Sequence, residues 1–281
     1  MKELEVLIGT KEYGVGMISY PDAIIYAGQS ARRKSFLTDI FPNIPTYTFS
    51  VDPEPQTPDM SVILEDKLIK GVNYLASLNG QIETNRIAIV AADTRTIVPQ
   101  LKNEVEPQSL GKPNEEAEVI EVFRDLSRVA DYTMEDPTYE VVSVSGAVSP
   151  ESQSILTSGD RTQITLWPEA AKYLTTSEGF QKYVEFFHAF YNSGAYKKVG
   201  MPAQSLTDLS GGLSLPVLLK LGAVKLVDGG DPKNRVNLKK SFFTVAVGIQ
   251  LDIIEPFNPE AANMIGQWEW LNDVVEGLVD E

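Results

Sequence analysis

The sequence predicts an α/β fold built on a mixed sheet. Apolar runs typical of strands alternate with segments whose apolar residues recur at helical spacing, and this alternation has no regular period. A regular alternation would favour a doubly wound parallel sheet, so the irregular order favours a sheet that mixes strand directions. Hydrophobic residues make up 43% of the 281-residue chain, enough for a sizeable core in one large domain or in a domain with an added lobe.

The first elements lie within the first hundred residues. Residues 27–37 (AGQSARRKSFL) are typical of a small-residue turn that leads into a helix. Five prolines in residues 42–58 predict a long ordered loop or an irregular sheet edge. Asp59 then caps a predicted helix that runs through Ser77. The apolar run at residues 86–93 (RIAIVAAD) predicts a buried strand that delivers a carboxylate at its C-terminal end.

Helices and strands continue to alternate through the middle of the chain. The segment at residues 111–130 contains a predicted helix that starts after Lys112, because a proline, an asparagine and two glutamates stand where a helix start favours them. Residues 139–148 and 161–167 alternate in polarity and predict strands. Residues 177–192 predict a helix with an aromatic stripe, and residues 215–221 (LPVLLKL) a short closing helix.

The remainder predicts an extension, so that residues 1–221 form the main domain and residues 222–281 pack on it. Residues 242–254 (FFTVAVGIQLDII) predict a strand, and residues 268–281 (WEWLNDVVEGLVDE) an acidic amphipathic helix. The apolar face of that helix is too large to leave in water, which favours a homodimer or another protein contact. Its members are Trp268, Trp270, Leu271, Val274, Val275 and Leu278.

Composition excludes several kinds of chemistry. The chain has no cysteine, which excludes disulfides, thiolate nucleophiles, zinc–sulfur sites and iron–sulfur clusters. Its one histidine, His188, excludes metal sites with two or three histidines and lies in the predicted aromatic helix, where we assign it no role. A net charge of −15 argues against nucleic-acid binding. The start of the chain resembles no secretory signal and no apolar run is long enough to span a membrane, which favours a cytoplasmic protein without a membrane partner.

Two segments carry polar residues that core packing does not require. At Ser30–Lys34 the predicted helix start presents backbone N–H groups, and Arg32 and Arg33 add planar guanidinium groups that suit phosphate oxygens. A solvated charge run is the alternative interpretation. Asp93, after the apolar run, could hold Mg²⁺ or take a proton from water, or it could cap the next turn.

Two further segments supply lysines and an acid. Lys112, in Leu110-Gly111-Lys112-Pro113, precedes a predicted helix start, where a cation is electrostatically unfavourable and an anionic ligand would explain it. Glu54 lies in the proline-rich loop, and Lys67 lies at the margin of the apolar stripe of the next helix. For Glu54 and Lys67 the alternative interpretation is an ordinary surface charge.

The order of these motifs resembles the Maf family, nucleoside triphosphate pyrophosphatases related in fold to inosine triphosphatase. The family's opening A-S-x-S-P-R-R-x-x-L-L appears as AGQSARRKSFL, and its A-D-T and L-G-K-P stand unchanged at residues 92–94 and 110–113. The resemblance continues through DLSR, TQITLW, SGAYKKVG and GLSLPVLL, and covers roughly residues 22–222. The family's D-E pair, which binds metal, appears here as Asp52-Pro53-Glu54, so either acid could be the ligand.

The resemblance implies a two-lobed, inosine-triphosphatase-like fold with a central cleft. It implies hydrolysis of a nucleoside triphosphate to the monophosphate and pyrophosphate, with Mg²⁺ or Mn²⁺ as cofactor. The residues that would bind the triphosphate are Ser30, Arg32 and Arg33, with Lys67 and Lys112 completing the cationic clamp. Glu54 and Asp93 would hold the metal, and Asp93 would orient or deprotonate the attacking water.

The chain also departs from the family pattern. Ala31 replaces the usual proline, residues 191–200 (YNSGAYKKVG) differ in the region that shapes the family's base pocket, and residues 222–281 have no usual counterpart. The base preference therefore does not follow from the resemblance. The altered pocket and the extension motivate a second hypothesis, a non-catalytic nucleotide-binding regulator linked to cell division.

Overall fold

The computed structural model of the protein describes residues 19–55, 57–98, 108–109, 113, 115–132, 138–192, 209, 214–226 and 247–267. These residues divide between two compact units. Unit 1 draws its described residues from Met1–Asp93, Ser143–Asp160 and Val247–Gln267. Unit 2 draws its described residues from Thr94–Val142 and Arg161–Ala246.

The helices and strands follow one another irregularly along the chain. In order they are β1 (Ala23–Ala27), α1 (Ala31–Ile40), β2 (Thr46–Phe49), α2 (Met60–Ser77), β3 (Ile87–Val98), β4 (Gln108–Ser109), α3 (Glu116–Tyr132), β5 (Thr138–Ser149), β6 (Ser154–Leu166), α4 (Pro168–Leu174), α5 (Ser177–Asn192), α6 (Ser214–Lys220), β7 (Val224–Leu226), α7 (Leu251–Ile254) and α8 (Ala261–Gly266).

The strands form one mixed sheet, which confirms the predicted α/β fold class. Their order is β2-β1-β3-β5-β6-β7, and β4 pairs with β3. Strand β1 runs parallel to both neighbours, with Ile24 opposite Thr46 on β2 and Ala88 on β3. Strands β4 and β7 run antiparallel to β3 and β6.

The core of unit 1 forms where α2 packs on β1 and β3. Every residue of β1 (AIIYA) is buried, as expected for a parallel strand that is covered on both faces. Leu64 and Leu68 of α2 pack into the same core cluster as Ile25. At Gly71 the helix approaches the sheet so closely that a Cβ atom would lie 2.5 Å from Cγ2 of Ile89. A glycine is therefore needed here for α2 to reach the sheet.

The predicted helix at residues 59–77 is confirmed. Asp59 is its N-cap, and its Oδ1 accepts hydrogen bonds from the backbone N–H of Ser61 at 2.9 Å and from Ser61 Oγ at 2.6 Å. The proline-rich stretch before α2 contains the short strand β2 at the edge of the sheet, followed by a loop that leads to α2. Of the two interpretations of residues 42–58, the irregular edge describes it better.

Two predicted strands differ from the structure in extent. The strand predicted at residues 86–93 continues as β3 through Val98, so Asp93 lies within a strand. The strand predicted at residues 161–167 is the second half of β6, which begins at Ser154 after a short turn. Polar residues such as Ser158 and Asp160 hide this first half from a search for alternating apolar residues.

The strand predicted at residues 242–254 is wrong for its described part. Leu251–Ile254 is helical, and Gln250 before it is buried. Gln250 donates hydrogen bonds from Nε2 to the backbone oxygen of Ser143 at 2.7 Å and from its backbone N–H to Ser145 Oγ at 3.0 Å. Ile249 and Ile253 on either side of this point are buried, and a continuous apolar run does not distinguish a buried strand from a buried helix.

The rest of the predicted extension is only partly described. The helix predicted at residues 268–281, with its apolar face for a homodimer, lies outside the described residues. The boundary predicted at residue 222 stays a prediction. Among the residues that the structure describes, no helix combines the length and the apolar character that crossing a bilayer requires.

The cap of α2 gives a pH-dependent prediction. Hydrogen bonds from the side chain and backbone of Ser61 hold the pKa of Asp59 below its ordinary value. Asp59→Ala should lower the free energy of unfolding by about 1 kcal/mol at neutral pH. Because the pKa is lower in the folded state, the part of the wild-type advantage that depends on the carboxylate charge is fully present above the ordinary carboxylate pKa and is lost as pH falls through the folded-state pKa. Urea unfolding of both proteins across this pH range measures the difference.

Asp59→Asn is the matched control for this prediction. An asparagine caps a helix about as well as an aspartate but does not titrate. Its stability relative to Asp59→Ala should therefore be nearly independent of pH. A wild-type advantage over Asp59→Ala that does not decrease at low pH would contradict the assigned interaction of the charged cap with Ser61.

Candidate functional site

Three of the predicted site segments begin at the same edge of the sheet. Ala27, the last residue of β1, pairs with Phe49 of β2 and with Ala91 of β3, and all three strands run parallel. The segments that follow these three residues carry Arg33, Glu54 and Asp93. Strands β1 and β2 end at this level and β3 continues past it, so the register brings together groups that are far apart in sequence.

Arg33 is held in the first turn of α1 with its side chain buried. Ser30 is the N-cap of this helix, and its Oγ accepts a hydrogen bond from the backbone N–H of Arg33 at 3.5 Å. The guanidinium Nη1 donates to the backbone oxygen of Ala92 at 3.2 Å and to the hydroxyl oxygen of Tyr26 at 3.4 Å. Arg33 thus joins α1 to both β1 and β3.

The electrostatic surroundings keep Arg33 charged despite its burial. Burial alone lowers the pKa of the guanidinium, but attraction to Tyr26, Asp93 and Glu54 and the hydrogen bond to Tyr26 outweigh it, so the pKa lies above its ordinary value. Arg33 therefore contributes a full positive charge at this edge of the sheet.

Lys67 lies at the centre of a buried cluster of charges. Its side chain is 3% exposed, and its Nζ lies 3.0 Å from Glu54 Oε1 and 3.6 Å from Asp93 Oδ2. The same ammonium donates to the backbone oxygen of Ala92 at 3.4 Å, which also accepts from Arg33. The side chains of Glu54 and Asp93 are 13% and 1% exposed. The surface-charge interpretation of Glu54 and Lys67 is therefore wrong.

We call Arg33, Glu54, Lys67 and Asp93 the charge cluster. Its two cations balance its two carboxylates, which reduces the large cost of removing each group from water. A buried ion pair rarely stabilises a fold better than apolar packing would, whereas the loss of one partner is expensive. The arrangement therefore favours a role in binding or chemistry over a role in stability alone.

The other predicted site residues lie beside the cluster or outside the described residues. Arg32 follows Ala31 in α1 and is half-buried, whereas Lys34 is exposed. Asp52, the other acid of the proline-rich loop, is exposed and accepts a hydrogen bond from Ser50 Oγ at 3.0 Å, so Glu54 is the acid that reaches the cluster. Lys112 and residues 193–200 lie outside the described residues.

The two carboxylates of the cluster have the donor chemistry that a divalent metal requires. Glu54 and Asp93 converge on one ammonium, which already stands as a cation between them. Within the described ranges, no group of three or more histidines and acids could form a protein cage for a metal. Mg²⁺ commonly uses one or two carboxylates and completes its shell with water and substrate phosphate oxygens. The pair fits a cation whose remaining ligands are water molecules or phosphate oxygens.

Sequence reasoning missed Tyr26 and Gly28. Tyr26 is 1% exposed, and a Cβ atom at Gly28 would lie 2.8 Å from its hydroxyl oxygen and 2.9 Å from Cζ. The backbone N–H of Gly28 donates to the backbone oxygen of Tyr26 at 3.0 Å. The absent side chain at Gly28 therefore leaves room for the phenol that contacts Arg33. A tyrosine inside an otherwise apolar strand was the available signal, because a buried phenol needs a polar partner.

Two other features contain no residue of the cluster. His188 is exposed on α5, with its ring edge-on to that of Phe187. A surface pocket of about 420 Å³ in unit 1 is lined mainly by apolar side chains, among them Leu75, Leu78 and Ile87. Ile87 is the first residue of β3, six positions before Asp93 in the same strand.

Comparisons with known proteins add little to this description. No protein-family model matches the chain, and no curated protein matches it in sequence. Its fold is similar to a solved nucleoside-triphosphatase / dITP/XTP pyrophosphatase from Mycobacterium abscessus, with 18% identity over 52% of this chain and 75% of that chain and a TM-score of 0.34. A similarity this low carries no argument about function, and membership of the Maf family stays a prediction.

The contact between Tyr26 and Gly28 predicts non-additive stability changes. Gly28→Ala should lower the free energy of unfolding by about 1–3 kcal/mol, because the added methyl group collides with a buried ring. Tyr26→Leu removes the atoms that the methyl group meets. In the double variant Gly28→Ala should therefore cost much less than in the wild-type background. Urea unfolding of the four proteins measures the coupling, and additive costs would contradict the steric assignment.

Proposed function

We propose that the protein is a nucleoside triphosphate pyrophosphatase, which hydrolyses its substrate to the nucleoside monophosphate and pyrophosphate. The observation that carries the proposal is the charge cluster beside the carboxyl ends of the parallel strands β1 and β2, the side of an open α/β sheet on which ligands bind. The resemblance of the sequence motifs to the Maf family supports it, since Arg33, Glu54, Lys67 and Asp93 occupy motif positions and meet in space.

The first turn of α1 is assigned to the triphosphate. Its backbone N–H groups and the positive end of the helix dipole favour an anion. The dipole is the sum of the aligned peptide units of α1, which has ten residues. Arg32 and Ser30 stand in this turn and would bind phosphate oxygens. Arg33 is buried behind them, where it supplies positive charge and fixes the turn to Ala92. Lys67 and Lys112 would complete the cationic clamp.

Hydrolysis needs positioning and charge neutralisation rather than a covalent nucleophile. A water molecule attacks the α-phosphorus, the bond between that phosphorus and the bridging oxygen breaks, and pyrophosphate leaves. Asp93 orients this water or takes its proton, and Lys67 stabilises charge that develops on the phosphate oxygens. Glu54 and Asp93 would hold Mg²⁺ or Mn²⁺, which when bound supplies further neutralisation of the phosphates. The absence of cysteine is no obstacle to this chemistry.

Direct assay of hydrolysis tests the proposal. The purified protein should release pyrophosphate and a nucleoside monophosphate from at least one member of a panel of canonical and modified triphosphates with Mg²⁺ or Mn²⁺. Asp93→Asn and Lys67→Met should each lower kcat by about 10²-fold or more, because each removes a charge that acts on the reacting phosphate. Asp39→Asn is the charge-matched control, since Asp39 is an exposed aspartate at the opposite end of α1, and it should leave kcat unchanged.

Two outcomes would contradict enzymatic function. If the wild-type protein releases pyrophosphate no faster than Asp93→Asn with every triphosphate of the panel, the proposed pyrophosphatase activity is wrong. Stabilisation of the fold by a triphosphate without any release would instead favour the nucleotide-binding regulator.

A further inference from the structure

A second lysine of α2, Lys70, holds the loop that carries Glu54. Its Nζ donates to the backbone oxygen of Val51 at 2.8 Å, to the backbone oxygen of Pro53 at 2.6 Å and to Asp66 Oδ2 at 2.7 Å. An ammonium has three N–H donors, so these acceptors match its full donor capacity. Asp66 lies one helical turn before Lys70 and fixes the ammonium from the helix side.

This arrangement differs from an ordinary surface ion pair. Lys70 and Asp66 are 29% and 28% exposed, and an exposed pair of this spacing contributes only a few tenths of a kcal/mol to a helix. Two of the three acceptors of Lys70, however, are backbone oxygens of the loop, and they flank the exposed Asp52. Lys70 thus links α2 to the backbone on both sides of that residue.

The contacts of Lys70 fix the position of the Glu54 backbone. The carbonyl group of Pro53 belongs to the peptide bond that joins Pro53 to Glu54, so fixing its oxygen fixes the backbone from which the Glu54 side chain extends. That side chain then reaches Lys67 at 3.0 Å. Lys67 and Lys70 are three residues apart on one face of α2. The helix therefore holds the loop at two points, by its backbone through Lys70 and by its acid through Lys67.

We propose that Lys70 is a positioning residue for Glu54, and that it thereby sets the affinity of the charge cluster for a divalent cation without contacting the substrate. The proposal rests on the proposed function, because it takes Glu54 as a metal ligand. Residues that orient metal ligands from behind commonly change metal affinity by about 10–100-fold when they are replaced. Lys70 has the contacts that such a role requires, and Asp66 keeps its ammonium in place.

Binding of Mn²⁺ to the full-length protein without nucleotide is the first test. Lys70→Met, which keeps the aliphatic stem and removes the donors, should weaken Mn²⁺ binding about tenfold or more in a calorimetric titration. Lys70→Arg, which keeps a cationic donor, should retain part of the affinity. Lys182→Met is the matched control, because Lys182 forms a pair with Glu178 of the same spacing and distance but on α5. It should leave the affinity unchanged.

A double variant separates positioning from a general loss of structure. In a Glu54→Gln background, Lys70→Met should have no further effect on Mn²⁺ affinity, because its effect passes through the Glu54 carboxylate. Equal losses in both backgrounds, or unchanged affinity in Lys70→Met, would overturn the proposal. If Lys70→Met does not fold, Lys70→Gln allows the same comparison.

Turnover distinguishes this proposal from the one on which it rests. With a hydrolysed triphosphate, Lys70→Met should raise the Mn²⁺ concentration needed for half-maximal rate and recover much of kcat at saturating Mn²⁺. If no triphosphate is hydrolysed but Mn²⁺ affinity depends on Lys70 through Glu54, the proposed pyrophosphatase activity is wrong and the positioning role of Lys70 is supported. If hydrolysis occurs and Lys70→Met binds Mn²⁺ as the wild type does, the positioning role of Lys70 is wrong and the proposed enzyme activity is supported.

Discussion

The structure of unit 1 depends on a buried ammonium, that of Lys67. A lysine removed from water needs compensating acceptors, and the three it contacts come from two distant parts of the chain. Glu54 lies in the loop after β2, whereas Asp93 and the backbone oxygen of Ala92 belong to β3. Meeting this requirement demands that α2 lie close to the sheet, which Gly71 permits. It also demands that the loop after β2 return towards α2. The positions of α2 and of the loop after β2 therefore both supply the buried ammonium of Lys67 with its acceptors.

Much of the fold was predictable because it follows local rules. The helix begun by Asp59 combines a cap with an apolar stripe, and both signals lie within its own sequence. The segment at residues 247–254 has no such signal, because its burial is set by distant partners such as Ser143 and Ser145. A continuous apolar run reports burial and leaves the choice between strand and helix to tertiary contacts.

The sequence motifs named residues that the structure brings together, but they indicated the geometry only in part, and the roles of these residues stay predictions. The motif order named Arg33, Glu54, Lys67 and Asp93. The parallel register of β1 with β2 and β3 explains why the first two and Asp93 meet, and the packing of α2 on the sheet adds Lys67. What the motifs did not convey is the degree of burial, since an arginine beside a helix start is usually exposed. Nor did they point to Tyr26, whose role follows from its contact with Arg33. Contacts of this kind depend on how side chains pack, which no spacing rule expresses.

The hydrogen bond from Asn258 Nδ2 to the backbone oxygen of Ile40, at 2.9 Å, joins residues 218 positions apart. Ile40 is the last residue of α1, the helix whose first turn carries Arg33. During synthesis on the ribosome, α1 and its strand emerge long before Asn258 or Gln250 exists. Closing so long a loop is slow and entropically costly, so native pairing across it is expected to come late in folding. The helix that carries Arg32 and Arg33 therefore acquires its last native contacts only when the C-terminal part of the chain has been made.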